Sequence, residues 1–221
     1  MRSGVQGGFV QLYPMELPLA VKKSSARASA TKNSVLRRAL REKTATIHER
    51  LHQHDGFHAL QSGKIDLRGY RDLLRRLYGF YLPYETAAQA APERSDWLRC
   101  DLASLGLTDQ AWQAIPRCQH VPILTSAERC LGALYVVEGS TLGGRTLALR
   151  LDGICGVGVA DGRRFFQGRG DGTGDAWSNI LNRLHDVDDD ETTHAAVVDA
   201  ALETFACFEQ WMAGWSTFAR P

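Results

Sequence analysis

Three glycines stand in the middle of a segment, residues 135–145, that otherwise has the composition of one long helix. Gly139, Gly143 and Gly144 each cost about 1 kcal/mol relative to alanine inside a helix, which indicates that bare backbone is needed there. Gly132 precedes Gly139 by seven residues and Gly143 follows it by four, so at about 100° per residue the three share one stripe. The pattern predicts a strip without side chains, suited to a flat ligand or to a closely packed helix.

The composition predicts one domain with its own core and excludes several classes of function. The 221 residues are 44% hydrophobic and 23% charged, which suffices for a single folded domain. A formal net charge of +1 argues neither for a nucleic-acid partner nor for a membrane surface, and we expect neither. No apolar run approaches the ~20 residues of a membrane span. The five cysteines contain no Cys-x-x-Cys pair, so they indicate reduced thiols in a cytoplasmic protein.

Residues 1–32 differ from the rest of the chain. They are rich in glycine, serine, alanine and basic residues, and Glu16 is their only acidic residue. Because such a stretch has little apolar surface to bury, we expect it to be a disordered basic extension. Residues 33–221 are expected to form the folded domain.

Helical periodicity and capping residues predict an all-α, compact multi-helix domain with helices of unequal length. Asp66, Thr108 and either Thr125 or Ser126 stand where N-caps are expected, because their side-chain oxygens can accept backbone N–H groups of a first helical turn. The eight glycines between residues 152 and 175 predict a loop, with a short strand near residues 164–166. The predicted helices cover residues 33–53, 66–81, 94–105, 108–115, 125–151, 175–185 and 188–215.

His48 lies at the edge of the apolar face of the first predicted helix, beside Ile47 and three residues before Leu51. A neutral imidazole in that place can ligate iron through one ring nitrogen, although a half-buried surface histidine is the more ordinary interpretation. Arg41 lies seven residues earlier on the same face, about 10 Å along the helix axis. A cation at that distance can pair with carboxylates at the rim of a macrocycle, although alone it is typical of a solvated helix surface.

Five segments carry a resemblance to a known family: Leu40–His48, Tyr70–Leu74, Leu77–Glu85, Leu134–Arg145 and Arg164–Trp177. They are similar to segments of the heme oxygenases, and in particular of the bacterial branch that often accompanies bacteriophytochromes. The resemblance covers about residues 33–215. It is most specific in the glycine-bearing segment, which looks like the kinked distal helix of that family, while the first segment looks like its proximal-histidine helix.

The resemblance implies that heme is both substrate and cofactor, clamped between two helices. His48 matches the axial ligand of the iron. Arg41 and Tyr135 match positions that contact the heme propionates. On this resemblance the metal site consists of His48 alone.

The resemblance also assigns the other face of the heme. Gly139 and Gly143 match the glycines whose backbone lies over the porphyrin, and Gly144 completes the glycine-rich segment beside them. Ser140 matches a residue that helps to hold a distal water network, at a position where animal-type members carry aspartate and the bacterial branch carries serine. Arg169 departs from the family pattern, since related bacterial sequences tend to have tyrosine there.

The reaction implied by the resemblance is opening of the heme ring at one meso carbon by O2 and electrons. Its products are biliverdin, CO and ferrous iron. The electrons must come from a separate reductase or ferredoxin, because the chain has no flavin or nicotinamide fingerprint. A phytochrome-type photoreceptor is a plausible recipient of the biliverdin.

Other interpretations stay open on the residues alone. A non-catalytic heme carrier or sensor would share His48 and the glycines with an enzyme. Glu49–His52 and Glu191–His194 are both Glu-x-x-His, and with Glu85 and Glu138 they would supply the ligand types of a non-heme di-iron oxidase. Pairs of histidines on the first helix and after it have zinc-ligand spacing, and the glycine strip would also suit two closely packed helices.

Overall fold

The computed structural model describes residues 34–188 and 190–213, and every regular element in these ranges is a helix. The all-α fold is therefore confirmed. The predicted extension over residues 1–32 and the predicted end of the last helix near residue 215 lie outside the described residues. In chain order the helices are α1 (Val35–His52), α2 (Asp55–Gln61), α3 (Leu67–Ala87), α4 (Glu93–Ser104), α5 (Asp109–Gln113), α6 (Ala127–Ala148), α7 (Asp152–Cys155), α8 (Arg164–Gln167), α9 (Gly172–Asp186) and α10 (Glu191–Met212), and a 3₁₀ turn (Leu149–Leu151) follows α6.

Several helices begin where the sequence supplies a capping oxygen. Asp66, Thr108 and Ser126 each accept a hydrogen bond from the backbone N–H three residues further on, at the starts of α3, α5 and α6. These caps satisfy N–H groups that a first helical turn leaves unpaired. The predicted N-caps are confirmed, with Ser126 rather than Thr125 at the start of the glycine-bearing helix α6. The kink expected in α6 stays a prediction.

The start of α1 is anchored by a residue that lies far away in the sequence. The Asp188 carboxylate accepts hydrogen bonds from the backbone N–H groups of Val35 (3.0 Å) and Leu36 (2.7 Å) and from the Ser34 hydroxyl (3.0 Å). Burial acts to raise the pKa of Asp188, but these bonds bring it below its usual range. Because a helix start also favours a negative charge, Asp188 fixes α1 against the segment that leads into α10.

Two apolar clusters form the core of the described residues. The first surrounds α3 and packs it against α4. The second lies where α1, α6, α9 and α10 meet, and both α1 and α6 pack against α9 and against α10. The two later helices therefore hold the histidine-bearing helix and the glycine-bearing helix in a fixed relation. The buried members of the second cluster are Leu36, Leu40, Ile47, Leu131, Tyr135, Val136, Ile180, Leu184, Val197, Ala201 and Phe205.

The strand predicted near residues 164–166 is wrong, because these residues belong to the short helix α8. The Asp101 carboxylate of α4 accepts hydrogen bonds from the backbone N–H groups of Arg164 (2.7 Å) and Phe165 (2.9 Å). A strand would present these groups to a neighbouring strand, whereas Asp101 caps them as the first turn of a helix. The predicted loop also contains α7, and α9 begins at Gly172, before the predicted start at residue 175.

Asp101 is expected to make the stability of the fold depend on pH. Burial raises the pKa of Asp101 from 3.8 to about 6, although its two backbone hydrogen bonds act in the opposite direction. The folded state therefore binds a proton at a higher pH than the unfolded state does. As a consequence, the contribution of Asp101 to the free energy of unfolding falls as the pH rises from about 4 to about 6.

Between about pH 4 and pH 7, we expect the free energy of unfolding of the wild type to fall by about 3 kcal/mol relative to that of Asp101→Asn. A pKa raised by about two units corresponds to about this energy. Asparagine keeps one acceptor oxygen but does not titrate. Urea unfolding of both proteins at several pH values measures the difference. Parallel pH dependences would contradict the raised pKa.

Candidate functional site

His48 lies on α1 directly after the buried Ile47. The residue is exposed, and the centroid of its ring lies 4.5 Å from that of His52 and 6.0 Å from that of Phe205 on α10. Protein atoms around the ring lower the pKa of His48, and the charge of His52 lowers it further, against the opposing effect of Glu49. This shift favours the neutral imidazole, which is the form that ligates a metal.

Tyr135 connects the glycine-bearing helix α6 to α1. Its side chain is buried, with 7% of the residue exposed. Burial raises the pKa of Tyr135, whereas the nearby charges of Arg37 and Arg41 and a hydrogen bond with Thr44 lower it. Thr44 lies on α1 one turn before His48. The structure thus brings Tyr135 close to Arg41, beside the part of α1 that precedes His48.

Gly139 faces an aromatic ring. A Cβ atom at this position would lie 3.5 Å and 3.7 Å from two ring carbons of Trp177 on α9, and it would meet no other described atom within 4 Å. These are ordinary van der Waals distances, so the packing around Gly139 does not itself require glycine. Trp177 is half-buried, and its ring centroid lies 5.5 Å from that of Tyr135. Tyr135, Gly139 and Trp177 therefore share one region between α6 and α9.

The predicted glycine strip is divided between two purposes. A Cβ at Gly132 would lie only 2.1 Å from the carbonyl oxygen of Val197, so this glycine allows α10 to approach α6 closely. A Cβ at Gly144 would lie 3.4 Å from the carbonyl oxygen and 3.5 Å from a ring carbon of Phe166, so Gly144 faces α8. These are ordinary contact distances as well, so contact with α8 does not require glycine at residue 144, and the cofactor role of Gly144 stays a prediction. Gly139, Gly144 and the half-buried Gly143 keep the ligand interpretation.

Ser140 is exposed, and its hydroxyl takes part in a short hydrogen-bonded chain. Its Oγ donates to the carbonyl oxygen of Val137 (2.8 Å) and lies 3.3 Å from the hydroxyl of Tyr81 on α3. Tyr81 is buried, with 4% exposed, and burial raises its pKa. Tyr81 belongs to a motif that the sequence analysis quoted but to which it gave no role. A buried tyrosine hydroxyl needs a polar partner, and Ser140 provides it.

An ionic network lies next to Gly139 in the sequence, and sequence analysis missed it. Glu138, 6% exposed, accepts hydrogen bonds from Arg94 Nη2 (2.7 Å), Arg169 Nη1 (2.7 Å) and Arg169 Nη2 (3.0 Å). Arg169 also donates to both carboxylate oxygens of Glu93. Burial acts to raise the pKa of Glu138, but the two guanidinium groups hold it below its usual range. The available signal was an acidic residue in the middle of an apolar stretch of α6, since a buried charge must be paired.

The di-iron and zinc sites considered from the sequence find no support. Across residues 34–188 and 190–213, no group of three or more His, Cys, Asp or Glu side chains is arranged to hold a metal ion. Glu85 instead caps α4, accepting hydrogen bonds from the backbone N–H groups of Arg94 (2.7 Å) and Ser95 (3.1 Å) and from the Ser95 hydroxyl (2.5 Å). With Glu138 paired to arginines as well, both extra carboxylates of the di-iron hypothesis are committed elsewhere.

Comparison with known families agrees with this arrangement. The family model described as heme oxygenase matches residues 34–214, which include every helix from α1 to α10. The chain belongs to the heme oxygenase family. No curated protein matches it. The family resemblance is therefore confirmed, while assignment to the branch that accompanies bacteriophytochromes stays a prediction. Within the part of this heme oxygenase family member that the structure describes, no helix combines the length and hydropathy needed to cross a membrane.

Proposed function

We propose that this chain is an active heme oxygenase, which opens heme with O2 and external electrons to give biliverdin, CO and ferrous iron. The observation that carries the proposal is the bare backbone at Gly139. Only the ring of Trp177 stands opposite it among the described atoms, at ordinary contact distance, so protein packing leaves the glycine unexplained. A flat ligand that needs close approach to the helix explains it.

The residues present fit heme, which is a flat, anionic molecule with a central iron. His48 supplies a neutral imidazole because its pKa is lowered, and imidazole suits iron. Arg41 and Tyr135 supply a cation and a hydroxyl for the propionates at the rim. Gly139 and Gly143 supply backbone without side chains for the other face of the ring. On this proposal the heme lies between α1 and α6.

Each of these residues has a separate part in the reaction. Bound heme supplies the iron at which O2 is activated. His48 would ligate that iron through its imidazole, a ligand that favours cleavage of an O–O bond less strongly than a thiolate does. Gly139 and Gly143 keep side chains away from the α6 side, so that the protein crowds this face only with backbone. The Ser140 hydroxyl, close to that of Tyr81, holds a water molecule that serves as a proton source.

The partners and location follow as further parts of the proposal. A separate reductase or ferredoxin supplies the electrons. The similarity of the segment Arg164–Trp177 to the bacteriophytochrome-associated branch supports delivery of biliverdin to a phytochrome-type photoreceptor. The lack of paired cysteine motifs supports a cytoplasmic location.

The role of His48 is tested by His48→Ala. The variant loses an exposed side chain, so we expect wild-type stability within about 0.5 kcal/mol and no biliverdin formation when hemin, O2 and ascorbate or a ferredoxin system are supplied. Absorption spectroscopy follows both the heme and the biliverdin. Normal turnover by the variant would refute the axial role. If the wild type keeps an unchanged heme spectrum under the same conditions, the chain is a carrier or sensor and not an enzyme.

The role of Gly139 is tested by Gly139→Ala, with Gly174→Ala as the matched control. An added Cβ meets nothing within 4 Å at Gly174 and only ring carbons of Trp177 at Gly139. Both positions lie in helices, so we expect each variant to be as stable as the wild type or up to about 1 kcal/mol more stable. Gly139→Ala should weaken hemin binding by about tenfold or more, because the added methyl group would push the porphyrin ring away from the helix backbone. Equal hemin affinity in the two variants would contradict the proposal.

A further inference from the structure

Arg169 joins three elements of the fold through its guanidinium group. It lies in the turn between α8 and α9, and it forms two hydrogen bonds with Glu138 on α6 and two with Glu93 on α4. Paired hydrogen bonds from one guanidinium to one carboxylate fix orientation as well as distance. Arg94 contributes a second cation to Glu138, so the network balances two positive with two negative charges.

The backbone around Arg169 is fixed to the same helices. The N–H of Arg169 donates to Thr173 Oγ1 (3.0 Å), in the first turn of α9. A Cβ at Gly168, where φ is +60°, would lie 2.8 Å from a methyl carbon of Thr141 on α6 and 3.0 Å from Thr173 Oγ1. The turn therefore lies directly between α6 and the start of α9, and only glycine fits at residue 168.

The helix that starts at this turn carries Trp177. Trp177 lies five positions after Gly172, the first residue of α9, which corresponds to about 7.5 Å along a rigid helix. The ring of Trp177 contacts the position where Gly139 lacks a side chain. Glu138, the partner of Arg169, directly precedes Gly139 on α6. Arg169 thus holds α6 next to Gly139, and it also holds the start of α9, the helix that carries Trp177.

We propose that Arg169 is a positioning residue for the heme site, which sets the separation between Trp177 and the Gly139 backbone by fixing α9 to α6. The inference rests on the proposed function. It goes beyond a stabilising role, because the paired hydrogen bonds of this half-buried guanidinium fix the orientation of Glu138 and Glu93 as well as their distance. Arg169 acts through Trp177 and Glu138.

A double-mutant cycle on hemin binding tests this coupling. Hemin is titrated by absorbance into the wild type, Arg169→Gln, Trp177→Ala and the double variant. We expect Arg169→Gln to raise the Kd for hemin by about tenfold in the wild-type background. In the Trp177→Ala background, the same substitution should raise the Kd by less than about twofold. A purely structural arginine would lower stability and leave the Kd unchanged.

Arg163→Gln is the matched control. Arg163 is a buried arginine, 4% exposed, and it holds the neighbouring loop by donating to the carbonyl oxygen of Ala148 (2.9 Å) and to Asp152 (2.6 Å). Its loss should lower the free energy of unfolding while the Kd for hemin stays within about twofold of the wild type. Arg169→Lys keeps the charge without the paired hydrogen bonds. If Arg169→Gln does not fold, Arg169→Lys replaces it in the cycle, and the same changes in the Kd for hemin are expected.

The possible failures are distinct. If the wild type binds no hemin, the proposed function fails and the inference falls with it. If the wild type binds hemin but Arg169→Gln leaves the Kd within about twofold, or its effect adds in full to that of Trp177→Ala, the positioning role is overturned and the proposed function stands.

Discussion

The packing of α1 and α6 against the same two helices, α9 and α10, is the constraint on which the candidate site depends. Apolar side chains from all four helices are buried in one cluster, and burial of such surface is the main force that holds helices together. Tyr135, within this cluster, adds a direct link from α6 to Thr44 on α1. The position of His48 relative to the glycines is therefore a consequence of core packing and not of a flexible loop.

Glycines in α6 serve two different physical purposes, which a single stripe in the sequence does not separate. Gly132 is required by protein packing, because any side chain there would meet the backbone of Val197. Gly139 has space for a methyl group, with only the Trp177 ring in contact distance. A helix that gives up about 1 kcal/mol at such a position gains no closer protein packing in return. This contrast is the basis of our proposal that Gly139 faces a ligand, whereas Gly132 serves packing.

Sequence alone predicted the features that depend on near neighbours. The N-caps Asp66 and Thr108 accept from residues three positions on, and helical periodicity extends over one segment, so both are visible locally. The strand near residues 164–166 was wrong because its capping carboxylate, Asp101, lies 63 residues away. The pairing of Arg169 was missed for the same reason, since its partners are 31 and 76 residues away in the sequence. Contacts across such distances depend on the packing of whole helices.

Amide hydrogen exchange of the full chain, with and without hemin, is the most direct test that heme lies between α1 and α6. Exchange slows most where a ligand contacts and stabilises the backbone. We expect hemin to slow exchange most strongly around residue 48 of α1 and around residues 139–143 of α6, and least in α5, which contributes nothing to the site. Slowing confined to other helices, or no slowing at saturating hemin, would contradict the account.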